Sequence, residues 1–289
     1  MGSTGFLGRA LCAALEQGGI SVHRYSRRPR PGFSSWDPTL GQIDLEPLER
    51  ADAVINLAGE DIAASRWTNA RKQLLRDSRI LSTQLLAKTL AQLQRPPAVL
   101  INASAVGYYG DRGQDAVFEH SAPGHGFLPE LCQAWEAATA PAVHAGIRVV
   151  QPRFGIVLSN HGGALARMLP AFKLGVGGRI GSGQQFMPWI ALNDAVSVLR
   201  FLLGATNVSG PVNTVAPEAI TNEDFTDTLG RILHRPTFLG VPVFALKVAL
   251  GELSQILLEG ANVRPHVLDQ AGFRFDLPRL EDALNAMLG

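Results

Sequence analysis

Four short runs of apolar, mostly β-branched residues constrain this chain most: ADAVINLAG, AVLINASA, IRVVQPRFGIVL and GPVNTVA. Segments with apolar residues at helical spacing separate them. The longest spans 69–94, with Leu74, Leu75, Ile80, Leu81, Leu85, Leu86, Leu90 and Leu93 in register before Pro96-Pro97 stops it. Runs of this kind are strands buried on both faces, and helices between them are crossover connections. The pattern predicts an α/β fold, a doubly wound parallel sheet of the Rossmann type. It extends to about residue 158, after which GGALARMLPAFKLGVGGRIGSGQQFMPWI is glycine-rich with few charges. LNDAVSVLRFLLG returns to an amphipathic helix, and the tail from about 217 reads as mostly helical, with prolines between its pieces. The predicted division is a dinucleotide-binding domain over 1–215, with 159–192 contributing to a substrate pocket. A smaller, mostly helical C-terminal domain over 216–289 follows.

The chain opens MGSTGFLGRAL, which sets Gly2, Gly5 and Gly8 three residues apart at the head of an apolar-striped helix over 6–17. A run of this type normally follows a strand and lays a bound pyrophosphate on the helix N-terminus. A flexible glycine-rich start is the alternative. Helix and following strand favour the nucleotide turn, and the reading expects a short apolar strand encoded upstream of Met1 to complete the sheet. The strand that follows, ISVHRYS, ends in Ser26-Arg27-Arg28, where NAD-binding proteins usually carry an acid for the ribose hydroxyls. Guanidinium groups suit a 2′-phosphate instead, so NADP is the expected cofactor; a solvated basic loop is the plainer reading.

Composition narrows the function classes. The 289 residues carry a formal net charge of +1, and no long basic run suggests a nucleic-acid face. Two cysteines, Cys12 and Cys132, cannot build a disulfide framework and read as small buried hydrophobes in a reducing compartment. There is no charged-then-apolar leader and no apolar stretch of membrane-spanning length, so a soluble, cytoplasmic protein is expected. The seven histidines show no metal-ligand spacing, and neither H-E-x-x-H nor G-x-S-x-G occurs. Partners are expected to be small molecules; the oligomeric state is not readable.

STGFLG, NLAGE, RWTNARKQLLRDSRI, SAVGYYGDRG, IGSGQQFMPWI and VNTVAPEAITNEDF together resemble one family along nearly the whole chain. It is the NAD(P)-dependent epimerase/dehydratase-like branch of the extended short-chain dehydrogenase/reductase superfamily, which has its own short C-terminal domain. The resemblance implies that Gly2, Thr4, Gly5, Phe6, Leu7 and Gly8 form the pyrophosphate turn and that Ser26 and Arg27 hold the adenosine phosphate. It places Leu57 and Ala58 along the adenine-ribose side and makes Arg79 a further cofactor contact. An exposed helix arginine is the alternative for Arg79.

The catalytic centre departs from the superfamily. Ser104 stands where its serine is expected, at the end of AVLINASA, but the Tyr-x-x-x-Lys pair is absent: Leu128 and Cys132 hold those positions. Tyr108, with Arg112 four residues on, is the remaining candidate proton donor; a packing aromatic is the alternative. Members often carry histidine where this chain has Ala191, while Asp194 is retained. Two functions therefore stand: an NADP-dependent oxidoreductase or epimerase acting on a small, sugar-like substrate, or a non-catalytic NADP-binding sensor.

Overall fold

The computed structural model describes residues 1–289. Helix α1 (Phe6–Gln17) leads into a small sheet of β1 (Arg24–Ser26), β2 (Phe33–Asp37) and β3 (Gln42–Ile43). Then come α2 (Glu46–Glu49), β4 (Ala53–Asn56), the long α3 (Asn69–Gln92), β5 (Val99–Asn102) and β6 (Ser104–Ala105). A 3-10 turn at Val106–Tyr109, β7 (Ala116–Val117), α4 (Phe127–Ala137), α5 (Ala140–His144), β8 (Arg148–Phe154) and β9 (Ile156–Ser159) follow. The remainder comprises α6 (Gly163–Lys173), β10 (Trp189–Ala191), α7 (Leu192–Gly204), β11 (Gly210–Thr214), α8 (Asn222–Leu233) and α9 (Val243–Leu250). It ends with α10 (Gln255–Leu258), β12 (Asn262–Val263), α11 (His266–Gln270) and α12 (Leu280–Leu288).

The main sheet has the order β11-β8-β5-β4, all parallel, with β6 also pairing β8. Parallel strands need crossovers, and α3, α4 with α5, and α7 supply them. One core lies between this sheet, α1 and α7, centred on Leu11, Ile101, Val150, Leu199 and Val212. A second joins α6, α8 and α12 through Leu165, Phe172, Phe225, Leu229 and Leu284. The tail serves both: Leu268 and Phe273 pack into the first core, and Leu280, Ala283 and Leu284 into the second.

Several expectations are corrected in detail. The run IRVVQPRFGIVL is two strands in two sheets, because β8 pairs β11 while β9 pairs β10. Gly155 makes the break: a Cβ there would lie 2.7 Å from the Pro188 carbonyl oxygen. The proline-rich stretch after Ser26 does not end strand structure, since β2 resumes beside β1 at Phe33. Within the glycine-rich segment, α6 forms around Leu165, Leu169 and Phe172 and tolerates Pro170. Strand β4 ends the main sheet and β1 ends the small one, with a cavity of about 690 Å³ between them, lined by Leu11, Leu15, Tyr25, Val54 and Ile55 among others. Met1 makes one parallel ladder step on β4, donating to the Ile55 carbonyl at 2.7 Å and accepting from the Leu57 N–H at 3.1 Å. No helix is long and apolar enough to cross a membrane.

Candidate active site

The glycine turn is built without room for side chains. Gly2 has φ +77°, and a Cβ on it would lie 2.6 Å from the Leu57 carbonyl carbon. One on Gly8 would stand 2.2 Å from the Gly2 oxygen. Gly5 donates to that same oxygen at 3.0 Å and caps α1 with no side-chain hydrogen bond, so the first N–H groups of the helix are left for an external acceptor. The buried Ser3 Oγ has no partner. An orphaned hydroxyl, a bare helix N-terminus and a cradle that only glycine can form suit a pyrophosphate. Thr4 gives its carbonyl to Arg9, Leu7 packs on the first core, and the Phe6 ring lies against Gly162 and Gly163 at the start of α6.

Asn56, fully buried at the end of β4, shapes the opposite wall. Its Nδ2 donates to Asn102 Oδ1 at 2.8 Å and its Oδ1 accepts from the Ala58 N–H, holding Leu57 and Ala58 behind Gly2. Thr83 donates to the same Asn102 oxygen and accepts from Trp135, so β4, β5, α3 and α4 share one buried polar relay. Glu60 comes next in this loop. Arg79 donates to its carbonyl at 3.0 Å and to Leu75 at 3.3 Å, and its guanidinium packs on the Trp135 ring. Burial pulls the Arg79 pKa down. Arg79 is thus neither exposed nor free: it pins the loop that carries Glu60.

At the end of β1, Ser26 accepts from the Arg28 N–H, and Arg27 donates to Glu60 Oε1 at 3.2 Å. The sequence showed no acid beside Arg27, yet the fold brings one from the loop after β4. Arg71 approaches the other oxygen of Glu60 at 3.8 Å and donates to the Asp61 carbonyl. Asp61 in turn pairs with Arg167 of α6.

Around Ser104 the structure assembles a network that motif reading missed. Ser104 Oγ donates to Glu136 Oε1 at 2.6 Å, and Arg153 donates to both oxygens of that carboxylate, 2.8 Å each. The third arm of Arg153 reaches the Tyr109 hydroxyl and the Glu119 carbonyl; Tyr109 donates to Asn213 at 2.6 Å. Burial pushes Tyr109 up to about 12 despite Arg153, which pulls the other way. Tyr108 lies face-on to the same guanidinium, 3.5 Å from its carbon to the ring centre. The pairing of Tyr108 with Arg112 is corrected: Arg112 is spent on the Tyr109 and Ala122 carbonyls, and Arg153 takes its place. Leu128 and Cys132 flank Gly107 in this turn, and burial pushes the Cys132 thiol up to about 12. The one available signal for Arg153 was a charged residue inside the apolar run IRVVQPRFGIVL. Asp194 belongs elsewhere, accepting from the Asp276 and Leu277 N–H groups of the tail.

The model of the NAD dependent epimerase/dehydratase family matches residues 1–215, and a domain of unknown function matches 241–287. The epimerase family protein Mb2239 of Mycobacterium bovis is 46% identical over 98% of this chain and 94% of its own length. The crystal structure of the human epimerase family protein SDR39U1 with NADPH superposes with a TM-score of 0.91 at 36% identity, covering 99% of this chain and 97% of that one. A nucleoside-diphosphate sugar epimerase from Corynebacterium glutamicum gives 0.82 at 35% identity, covering all of this chain and 57% of the other. With a parallel sheet and a family match over three-quarters of its length, this chain belongs to the NAD dependent epimerase/dehydratase family.

Proposed function

We propose that this protein binds NADP(H) and acts as an oxidoreductase or epimerase on a small, sugar-like substrate in the cytoplasm. The observation that carries the reading is the Gly2–Gly8 turn, whose Gly2 and Gly8 leave no space for a Cβ and whose helix N-terminus lacks a cap of its own. A relative that crystallised with NADPH supports the choice of cofactor. In this reading the turn and Ser3 hold the pyrophosphate, Leu57 and Ala58 flank the adenine ribose, and Ser26 with Arg27 holds the 2′-phosphate. Arg79 acts behind them, fixing the loop.

The bound nicotinamide would supply a hydride acceptor or donor. The chain's own part is the proton. Ser104 gives its hydrogen to Glu136, which leaves its lone pairs to accept a hydrogen bond from a substrate hydroxyl. Arg153 holds Glu136 through two of its arms and Tyr108 through its face, so Ser104 and Tyr108 are set by one rigid group. Tyr108 is the proposed proton donor. The test is single-turnover hydride transfer in Ser104→Ala and Tyr108→Phe, after NADPH titration has shown intact binding. General acid–base help is worth about 100-fold to 10,000-fold, so each rate should fall by at least ~100-fold. Unchanged rates in both would remove these residues from the proton path.

Leu128 and Cys132 support the second reading, a non-catalytic NADP-binding sensor. Neither can exchange a proton near neutral pH in this setting, Cys132 being held protonated by burial. An unmutated protein that binds NADPH tightly yet turns over no alcohol or carbonyl in a broad panel would put the sensor ahead.

A further inference from the structure

Glu60 is the acid that the strand end at Ser26-Arg27-Arg28 lacks, delivered from a different loop. Its carboxylate stands between two cations, 3.2 Å from Arg27 and 3.8 Å from Arg71. Its backbone is fixed on both sides by α3: the Glu60 N–H donates to Ser78 Oγ at 3.2 Å, and its carbonyl accepts from Arg79 at 3.0 Å. The Glu60 side chain is only 29% exposed against 58% for Arg27, so the acid is the more enclosed partner and the arginine the one open to a ligand. Any phosphate that Arg27 takes up must share that guanidinium with a carboxylate already on it.

We propose that Glu60 sets the balance between NADP and NAD by opposing the 2′-phosphate at Arg27. The proposal rests on the reading of Arg27 as the phosphate contact. A dianionic phosphate brought against Arg27 meets the negative charge of Glu60 within a few ångströms, whereas the ribose hydroxyl of NAD brings no charge. Glu60 therefore costs NADP affinity and leaves NAD affinity alone. Arg71 gives the site a second cation facing Glu60, so removing the acid relieves both guanidinium groups of its charge, although Arg71 keeps its bond to the Asp61 carbonyl. The effect is that of a partly exposed ion pair and is correspondingly moderate.

The experiment is equilibrium binding of NADPH and NADH, followed by nicotinamide fluorescence, to the full chain and to Glu60→Gln, Glu60→Asp and Arg27→Ala. Thermal melts accompany each variant to establish folding. Glu60→Gln should tighten NADPH roughly two- to five-fold and leave NADH unchanged, with the gain shrinking as salt is raised. Glu60→Asp, which withdraws the same charge by one methylene, should give a smaller gain in the same direction. Arg27→Ala should weaken NADPH about ten-fold or more and NADH little. If Arg27→Ala behaves so while Glu60→Gln leaves NADPH unchanged or weaker, Glu60 does not discriminate and the cofactor reading stands. A loss of NADH binding without a gain for NADPH also overturns the proposal, since it would make Glu60 a ribose ligand. If Arg27→Ala weakens both cofactors equally, the phosphate assignment itself fails, and the proposal with it.

Discussion

Arg153 shows how a single residue can organise a site that motif reading leaves blank. It is almost wholly buried, and each of its arms has a protein acceptor, which is the condition under which a buried guanidinium is tolerated. Ser104 and Tyr108 could be proposed from sequence because they directly follow the end of an apolar strand run. The pairing of Glu136 with Arg153 could not, because it joins a crossover helix, α4, to a strand, β8, and leaves no local spacing. Asp194 is another buried charge, and there the pH dependence can be worked out. Burial, with Asp276 nearby, holds its carboxyl above the ordinary value of 3.8, although two N–H bonds pull it down. The folded state therefore keeps this proton to higher pH than the unfolded chain does. Its contribution to stability is full below 3.8 and declines as pH rises through the raised value. Asn at this position has no proton to lose. In urea unfolding from mildly acid to neutral pH, Asp194→Asn should gain on the unmutated protein as pH rises. A difference that stays flat with pH would contradict the assignment.

Among the elements, helices were the most legible and short polar strands the least. The predicted helix over 6–17 matches α1 residue for residue, and the 69–94 pattern closes two residues early at Gln92. Strand β2, FSSWD, has too few apolar residues to stand out; its pairing to β1 is decided by the sheet, not by propensity. The split at Gly155 was hidden for a different reason: both halves are apolar, and only the close approach of the Pro188 carbonyl separates them. The glycine turn was legible in its spacing but not in its tightness. A methyl group at position 8 would sit 2.2 Å from the Gly2 oxygen, so the turn must open before it can be accommodated. Gly8→Ala should lower stability by about 1–3 kcal/mol in denaturant melts and weaken NADPH binding with it. Gly204→Ala, at the end of α7 where a Cβ meets nothing within 4 Å, is the control and should be neutral or slightly stabilising. Equal behaviour of the two variants would remove the steric argument.

At the scale of the whole molecule, the predicted division near 216 does not follow the packing. The tail crosses back to the first core through Leu268 and Phe273 before α12 completes the second, so neither core is closed without residues from beyond the division. Segments packed on the two cores also meet at the glycine turn. Leu57 and Ala58 touch it on one side, Gly162 and Gly163 touch Phe6 on the other, and the Asp61–Arg167 pair joins those same two segments. Both charges are about half exposed, so the pair adds little to folding. Its consequence is one of timing. For a cofactor that reaches the turn between these two segments, a bond joining them raises the barrier for arrival and for departure by the same amount, and so changes how long a guest stays without changing how tightly it is held. In stopped-flow traces, Arg167→Ala should speed both association and release of NADPH by roughly two- to five-fold, with the dissociation constant nearly unmoved. Rates equal to those of the unmutated protein would leave the pair no part in the traffic. Where release limits turnover, a surface ion pair of negligible weight in stability would set the working pace of the whole molecule.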